Sequence, residues 1–246
     1  MRIALMSDIH ANREAFTACL AHAAASSAER HVFLGDFVGY GADPEWVVET
    51  LKAYVAKGAV AIAGNHDRAI AAERSSMNEN ASHAIGWTRE RLNADARAFL
   101  HELPLKVEDE DRLYVHADAS APEKWIYVED AEMAAASLAA TRQRLTFVGH
   151  VHVPMLYGIT ATQKLLAFQP VDGGPVPLLR QRQWLAVVGS VGQPRDRNPA
   201  AAYALYDTAT TEFTNVRVPY DIATTAAKIR AAGLPEALAT RLSLGR

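Results

Sequence analysis

Five short motifs in this chain of 246 residues carry side chains suited to holding cations. They are Asp8-x-His10, Gly35-Asp36, Gly64-Asn65-His66-Asp67, Val115-His116 and Gly149-His150-x-His152, and they contain five of the nine histidines. Carboxylate, amide and imidazole donors arriving from separate stretches of chain, with no thiolate among them, suit a site for two hard-to-borderline divalent ions. One residue is skipped between Asp8 and His10, and again between His150 and His152; in an extended segment that spacing turns both side chains to one face. Glycines at 35, 64 and 149 allow tight turns and close approach of backbone to an ion. As mere caps or core hydrogen-bonders, these imidazoles and carboxylates would gather unpaired at strand ends, a costly arrangement without a cation.

The elements that must position them can be read from periodicity. Ile3 to Met6 is a short buried strand emptying into the loop of Asp8 and His10, and a helix follows from about Glu14 to Ala28 with Phe16, Leu20 and Ala24 at helical spacing. His31 to Leu34 is a second strand that ends on Gly35-Asp36. Asp43-Pro44 starts another helix, with Val47, Leu51, Tyr54 and Val55 as its apolar stripe. Ala59 to Ala63 is a third strand, ending on Gly64-Asn65-His66-Asp67. Strands alternating with crossover helices imply right-handed βαβ units and a largely parallel sheet. Residues from about Asn78 to Glu102 are helical, and strand-like runs follow at Leu105 to Val107, Arg112 to Val115 and Leu145 to Val148. Five more strand signals after His152 suggest a second, mixed or antiparallel sheet. Pro175 and Pro177 mark a loop, and a helical tail from Ala223 breaks at Gly233-Leu234-Pro235. No linker or repeat divides the chain, so residues 1–246 read as one domain. In open α/β sheets ligands bind beyond the carboxyl ends of strands, where the five motifs fall.

Half the residues are apolar, 22% are charged and the formal net charge is −3, an ordinary globular balance with no strong nucleic-acid surface. The apolar run before Asp8 is too short for a signal peptide, and no stretch of 18 apolar residues spans a membrane. A cytoplasmic location is expected. The single cysteine, Cys19, reads as a small buried apolar residue. Arg180, Arg182, Arg195 and Arg197 gather in the last third, where guanidinium groups suit phosphate recognition or a solvated loop equally. Nothing in the composition specifies an oligomeric state.

These motifs in this order resemble the calcineurin-like metallophosphoesterases. The likeness spans Asp8 to His152 and continues at Gly189-Ser190-Val191-Gly192. Gly35-Asp36-Phe37-Val38-Gly39-Tyr40-Gly41 is most similar to the Gly-Asp-x-x-Gly-Tyr-Gly of a small bacterial phosphodiesterase and phosphatase set. The resemblance implies an α/β fold, a four-layer α/β/β/α sandwich of two mixed β-sheets flanked by helices. It also implies that Asp8, His10, Asp36 and His152 hold one ion, that Asp36, Asn65, His116 and His150 hold the other, and that Asp36 bridges them. The cofactors would be two divalent cations, manganese foremost, with iron, zinc, nickel or cobalt also compatible with mixed imidazole, amide and carboxylate donors.

Two such ions roughly 3.5–4 Å apart can share a hydroxide that attacks phosphorus in line at neutral pH. The partner would then be a small phosphate ester, a diester or monoester that could derive from a nucleotide. His66, beside Asn65 but outside the implied ligand set, is the candidate to protonate or stabilise the leaving oxygen. Arg195 is a candidate for touching substrate, and Asn12 could do so or equally brace its loop with a hydrogen bond. Trp87 reads as a packing residue before a stacking platform, and His22, His31 and His101 as ordinary structural or surface histidines.

The departures narrow the substrate. Phosphoserine and phosphothreonine phosphatases of the family carry Asp-Arg-Gly where this chain has Gly39-Tyr40-Gly41, so both their orienting Asp and their phosphate-gripping Arg are missing. Asp67 adjoins His66, but nothing in the sequence assigns it the orienting role. Ala11 replaces a frequent Gly, and His116 is followed by Ala117-Asp118 where Gly is usual. A protein or dinucleoside-polyphosphate phosphatase is the alternative within enzymes. A non-catalytic scaffold like the retromer subunit of this fold is the alternative outside them, and His66 argues against it because that relative lacks the catalytic histidine.

Overall fold

The computed structural model describes residues 1–71 and 77–246. In chain order the elements are β1 (Arg2–Met6), α1 (Arg13–Ala25), β2 (Arg30–Phe33), α2 (Pro44–Val55), β3 (Val60–Ala61), α3 (Asn65–Ala71), α4 (Glu79–Arg91) and α5 (Ala94–Glu102). Next come β4 (Lys106–Asp109), β5 (Arg112–Val115), α6 (Ala131–Ala139), β6 (Leu145–Val148), β7 (Met155–Thr160), β8 (Leu165–Phe168) and β9 (Pro175–Pro177). The chain closes with β10 (Arg182–Val187), β11 (Ala201–Asp207), β12 (Glu212–Val218), α7 (Ile222–Ala231) and α8 (Glu236–Leu244).

The strands form two six-stranded sheets, one ordered β3-β2-β1-β11-β12-β9 and the other β4-β5-β6-β10-β7-β8. Both are mixed: β1 pairs parallel to β2 and antiparallel to β11, while β10 pairs parallel to β6 and antiparallel to β7. Period-2 alternation explains the layering. Ile3 and Leu5 of β1 and Val32 of β2 point between the sheets, where they meet Tyr114, Phe147 and Trp184. Ala4, Met6 and Phe33 point the other way and pack under Phe16 and Cys19 of α1 and Val47 and Leu51 of α2. On the far side, Leu113, Val115 and Val187 pack against Ala134 and Leu138 of α6. A strand buried on both faces is apolar along its buried length, as β1 is from Ile3 to Met6. The result is the α/β/β/α sandwich.

Several local expectations need correction. α1 stops at Ala25, and its buried face runs through Ala15, Phe16, Cys19 and Ala23, leaving Ala24 exposed. The third strand shrinks to Val60–Ala61. The helical stretch beyond Asn78 is two helices, because the Asn93 side chain caps α5 by accepting from the Ala96 amide at 2.8 Å. The strands after His152 do not form a sheet of their own: β11 and β12 join β1, and β7, β8 and β10 join β5 and β6. Residues 175–177 are an edge strand, a place where proline is tolerated. Helix α6 had no counterpart in the sequence reading. Among the described residues, no helix is long and apolar enough to cross a membrane.

The last two helices return to the first. Lys228 of α7 donates to Glu14 of α1 at 2.5 Å and to Asp43 at 2.8 Å, and Ile229, Leu238 and Leu242 pack with Tyr40. That docking carries the C-terminal hairpin up to the loops that follow β1 and β2.

Candidate metal centre

Loops after β1, β2, β3, β5, β6 and β10 converge at one end of the sandwich. The Asp8 amide donates to the Gly35 carbonyl (3.0 Å), the His10 amide to the Asp36 carbonyl (2.9 Å), and the Gly149 amide to the His116 carbonyl (3.0 Å). The His150 amide donates to Asp8 Oδ2 at 3.0 Å, and the Gly192 amide to the Asp8 carbonyl at 2.9 Å. Asp8, His10, Asp36, His150 and His152 all take positive φ, between 48° and 66°. Left-handed backbone costs an L-residue roughly 1–2 kcal/mol, and five such residues in one cluster are a mark of a functional site. The side chains of each skipped pair therefore converge through turns, not through the extended backbone expected. At Gly64 and Gly149 the requirement is space: a Cβ on Gly64 would lie 2.9 Å from Asp36 Cγ, and one on Gly149 would lie 2.6 Å from Asp8 Oδ2.

The donor atoms fall into three overlapping groups, Asp8/His10/His152, His10/Asp36/His66 and Asp36/His116/His150, with the ligating atoms in each within 4.8 Å of one another. Asp36 is central. Its Oδ1 accepts the His66 amide at 2.8 Å, which leaves Oδ2 at 3.5 Å from His116 Nε2, 3.8 Å from His10 Nε2 and 4.0 Å from His66 Nε2. Asn65 sits between Gly64 and His66, and its Oδ1 is buried with no hydrogen-bond partner. Asp8 Oδ1 and His116 Nε2 are orphaned in the same way.

Ring orientation says what these atoms require. The Nδ1 of His10, His116 and His152 faces the carbonyl of Val38 (3.2 Å), Leu34 (2.6 Å) and Gln193 (2.7 Å) respectively. A carbonyl only accepts, so each Nδ1 carries a hydrogen, and in the neutral ring Nε2 presents its lone pair to the site. His10 Nε2 and His152 Nε2 stand 3.2 Å apart. Two lone pairs facing each other at that distance repel unless a cation lies against them. His150 is reversed: its Nε2 is tied to the Trp125 carbonyl at 3.0 Å, so Nδ1 is its free nitrogen. Orphaned carboxylate, amide and imidazole acceptors, with outer hydrogen bonds already made, fit divalent cations.

Charge points the same way. Burial, opposed only in part by nearby carboxylates, lowers His10, His66 and His152 below the usual histidine range and lowers His150 to about 3, so these rings are neutral at pH 7. Burial works against charge on Asp8 and Asp36 too, but His152 beside Asp8 and His116 beside Asp36 hold both below the usual carboxylate range. His116 is the exception among the rings: burial opposes its charged form, yet Asp36 raises it to about 9. At neutral pH a cation must displace that proton. Apparent Mn²⁺ affinity is expected to rise up to about tenfold per pH unit and to level off near pH 9, and a flat titration between pH 6 and 8 would exclude this exchange.

Asp67, assigned no role from sequence, clamps the loops. Its Oδ2 accepts the amides of Asp36 (2.8 Å) and Gly64 (2.9 Å), and its Oδ1 accepts that of Phe37 (2.9 Å). It therefore does not orient His66. That ring is held by packing, with centroids 4.5 Å from Tyr40 and 4.8 Å from His10, and its Nδ1 is buried without a partner. Replacing Asp67 by Ala strands four buried amides, that of Val38 at 3.4 Å included. Thermal unfolding is expected to show a loss of roughly 3 kcal/mol or more; a change under about 0.5 kcal/mol would deny the clamp.

The substrate candidates separate. Asn12 is buried and occupied: its Oδ1 accepts the Ala15 amide as the cap of α1, and its Nδ2 donates to the Gly192 carbonyl at 2.9 Å. Those bonds brace a loop, one of the two roles its position allowed. Arg195 lies at the site, with its amide 3.3 Å from the His152 carbonyl and its guanidinium on Gln193 Oε1 at 2.9 Å. Arg180 and Arg182 lie at the opposite end of β10, roughly 20 Å of strand away, so the four arginines form no cluster. Trp87 packs under Arg91, and His22 meets the Tyr203 hydroxyl at 2.7 Å. Sequence reasoning passed over Tyr127, whose ring stacks on His150 at 3.9 Å. Its stretch, Trp125-Ile126-Tyr127, carries no motif that would have singled it out.

Comparison with known proteins agrees with this architecture. A protein of Methanocaldococcus jannaschii is 34% identical over 255 residues, covering 99% of this chain and 98% of its own length. The crystal structure of a metallophosphoesterase from Sphaerobacter thermophilus matches with a TM-score of 0.88 at 37% identity, over 100% of this chain and 99% of that one. A hypothetical protein from Pyrococcus horikoshii OT3 shares the fold at a TM-score of 0.81 and 21% identity, over 100% of this chain and 98% of that one. The profile of the calcineurin-like phosphoesterase superfamily domain matches residues 1–211, and the chain belongs to that superfamily of metal-dependent phosphoric ester hydrolases.

Proposed function

We propose that this centre takes two divalent cations and hydrolyses a small phosphodiester or phosphomonoester. Asp8, His10, Asp36 and His152 would hold one cation, and Asp36, Asn65, His116 and His150 the other. The observation that carries this reading is Asp36 Oδ2, which faces the histidines of two donor groups at once. Divalent cations at such a centre supply Lewis acidity toward phosphoryl oxygens and a water of lowered pKa.

The protein's own residues do the rest. The carbonyls of Val38, Leu34 and Gln193 fix the ligand rings, so little reorganisation accompanies the reaction. His66, kept neutral by burial, offers an N–H to the leaving oxygen, and a bound phosphate ester raises its proton affinity. Arg195 supplies the charge that a phosphoryl oxygen needs beside the cations. Manganese leads among the metals, since oxygen donors accompany the imidazoles.

Two measurements test the reading. After reconstitution, elemental analysis should find close to two divalent ions per chain, and Mn²⁺ at about a hundredfold above its Kd should stabilise the fold by about 2.7 kcal/mol per site. Hydrolysis of bis-p-nitrophenyl phosphate and p-nitrophenyl phosphate should appear only with metal. Turnover of neither substrate under any divalent ion would leave a binding scaffold as the better reading, and one ion per chain would remove the dinuclear centre.

A further inference from the structure

His150 is held differently from the other ligand rings. The carbonyls behind His10, His116 and His152 belong to Val38, Leu34 and Gln193, all of them buried. The carbonyl behind His150 belongs to Trp125, in the segment between β5 and α6. None of Trp125, Ile126 and Tyr127 enters an apolar core cluster, and Ile126 and Tyr127 are 41% and 42% exposed. Core packing therefore gives no reason for where this segment lies.

Its path is nonetheless fixed. The Asp118 amide donates to the Ile126 carbonyl at 3.2 Å, and Val128 is buried with Ala134 and Leu138 of α6. Between these anchors a short turn at Pro122–Lys124 closes with the Lys124 amide on the Ala121 carbonyl at 2.9 Å. Trp125 follows with a φ of 54°, a left-handed conformation that a bulky residue rarely takes. Its carbonyl then meets His150 Nε2 at 3.0 Å. Two residues on, the Tyr127 ring lies flat on His150, with centroids 3.9 Å apart and planes 20° apart. The Trp125 ring meets His116 edge-on at 6.0 Å. One three-residue strap thus touches both histidines of the Asp36/His116/His150 group. His10 and His152 make their ring contacts with Tyr40, His66 and each other.

We infer that the strap positions His150 for one cation alone, with Tyr127 as the positioning residue. That role rests on the two-cation reading above. Two effects act together. The hydrogen that Nε2 shares with the Trp125 carbonyl fixes the ring so that Nδ1 is the donor, and raises its basicity. An imidazole that gives its Nδ1 lone pair to a cation becomes electron-poor, and the face of the Tyr127 phenol attracts it as it attracts a positive charge. Both contacts strengthen when the ring is a ligand, so both add to affinity for the cation on that side.

Calorimetric titration of the metal-free full chain with Mn²⁺ tests this without turnover. Tyr127→Leu should weaken one of two binding events by about tenfold and leave the other within about twofold, while Tyr127→Phe keeps the ring and should stay within about threefold of wild type at both. Trp125→Pro, whose fixed φ near −65° turns the carbonyl away, should weaken the same event by about 10–100-fold. In a His150→Ala background, Tyr127→Leu should change none of the binding that remains, because the ring it acts through is gone. The proposal is overturned if Tyr127→Leu leaves both events unchanged, weakens both alike, or still weakens binding in His150→Ala, and equally if Tyr127→Phe loses as much as Tyr127→Leu. If the wild type takes one cation only, the dinuclear reading fails; a tenfold loss of that cation in Tyr127→Leu then keeps the positioning role, and an unchanged affinity ends it.

Discussion

His66→Ala is expected to lower kcat by about 10²–10⁴-fold while the bound cations stay at the wild-type level. The separation of the two readouts follows from position. His66 Nε2 faces Asp36 Oδ2 at 4.0 Å, but the ring is in neither ligand set proposed for the cations, so on that reading its loss removes no ligand. Removal does take away an imidazole near Asp36 whose Nδ1 is buried without a partner. The loss should be steeper for poor leaving groups than for p-nitrophenolate, which departs without a proton. A variant that turned over at the wild-type rate on a poor leaving group would show that His66 only packs. Tyr40→Ala provides a control of orientation: the ring against His66 is gone, the N–H remains, and the loss in kcat should be smaller.

Asp36→Ala should be more damaging and in a different way. Both cations are expected to be lost or sharply weakened, with activity down by more than about 10³-fold, beyond the 10–100-fold typical for an outer-shell partner. Its carboxylate faces three imidazoles with Oδ2 and accepts the His66 amide with Oδ1. The substitution also removes the charge that raises His116, so that ring should lose its proton at neutral pH. Retention of two ions per chain in Asp36→Ala would place the bridge elsewhere. Asp8→Ala is the useful contrast, because Asp8 belongs to one donor group and its loss should spare the second cation.

Much of the centre was legible before any coordinates. Asp8, Asp36, His116 and His150 follow apolar runs that did become β1, β2, β5 and β6, since a strand buried on both faces must be continuously apolar. Gly64-Asn65-His66-Asp67 announced a chemical loop, although the clamp made by Asp67 was hidden in it. Its four amide partners lie 3, 29, 30 and 31 residues away, and nothing local identifies them. Asn12 shows the same limit from the other side. A polar residue beside a motif allows a substrate contact or a loop brace, and only the fold shows its side chain bonded to the Ala15 amide and to Gly192, 180 residues distant.

Covalent order and side-chain chemistry, then, determined which donors exist, that thiolates are excluded, and which loops carry them. They did so because donor type is intrinsic to a residue and strand ends are marked by local periodicity. Tertiary structure decided the division of strands between two sheets, the left-handed turns that aim the donors, the nitrogen each histidine presents, and the amides that Asp67 clamps. Each of those depends on hydrogen bonds, packing and charge between segments remote in the chain, and a distant partner leaves no imprint on the spacing of nearby residues.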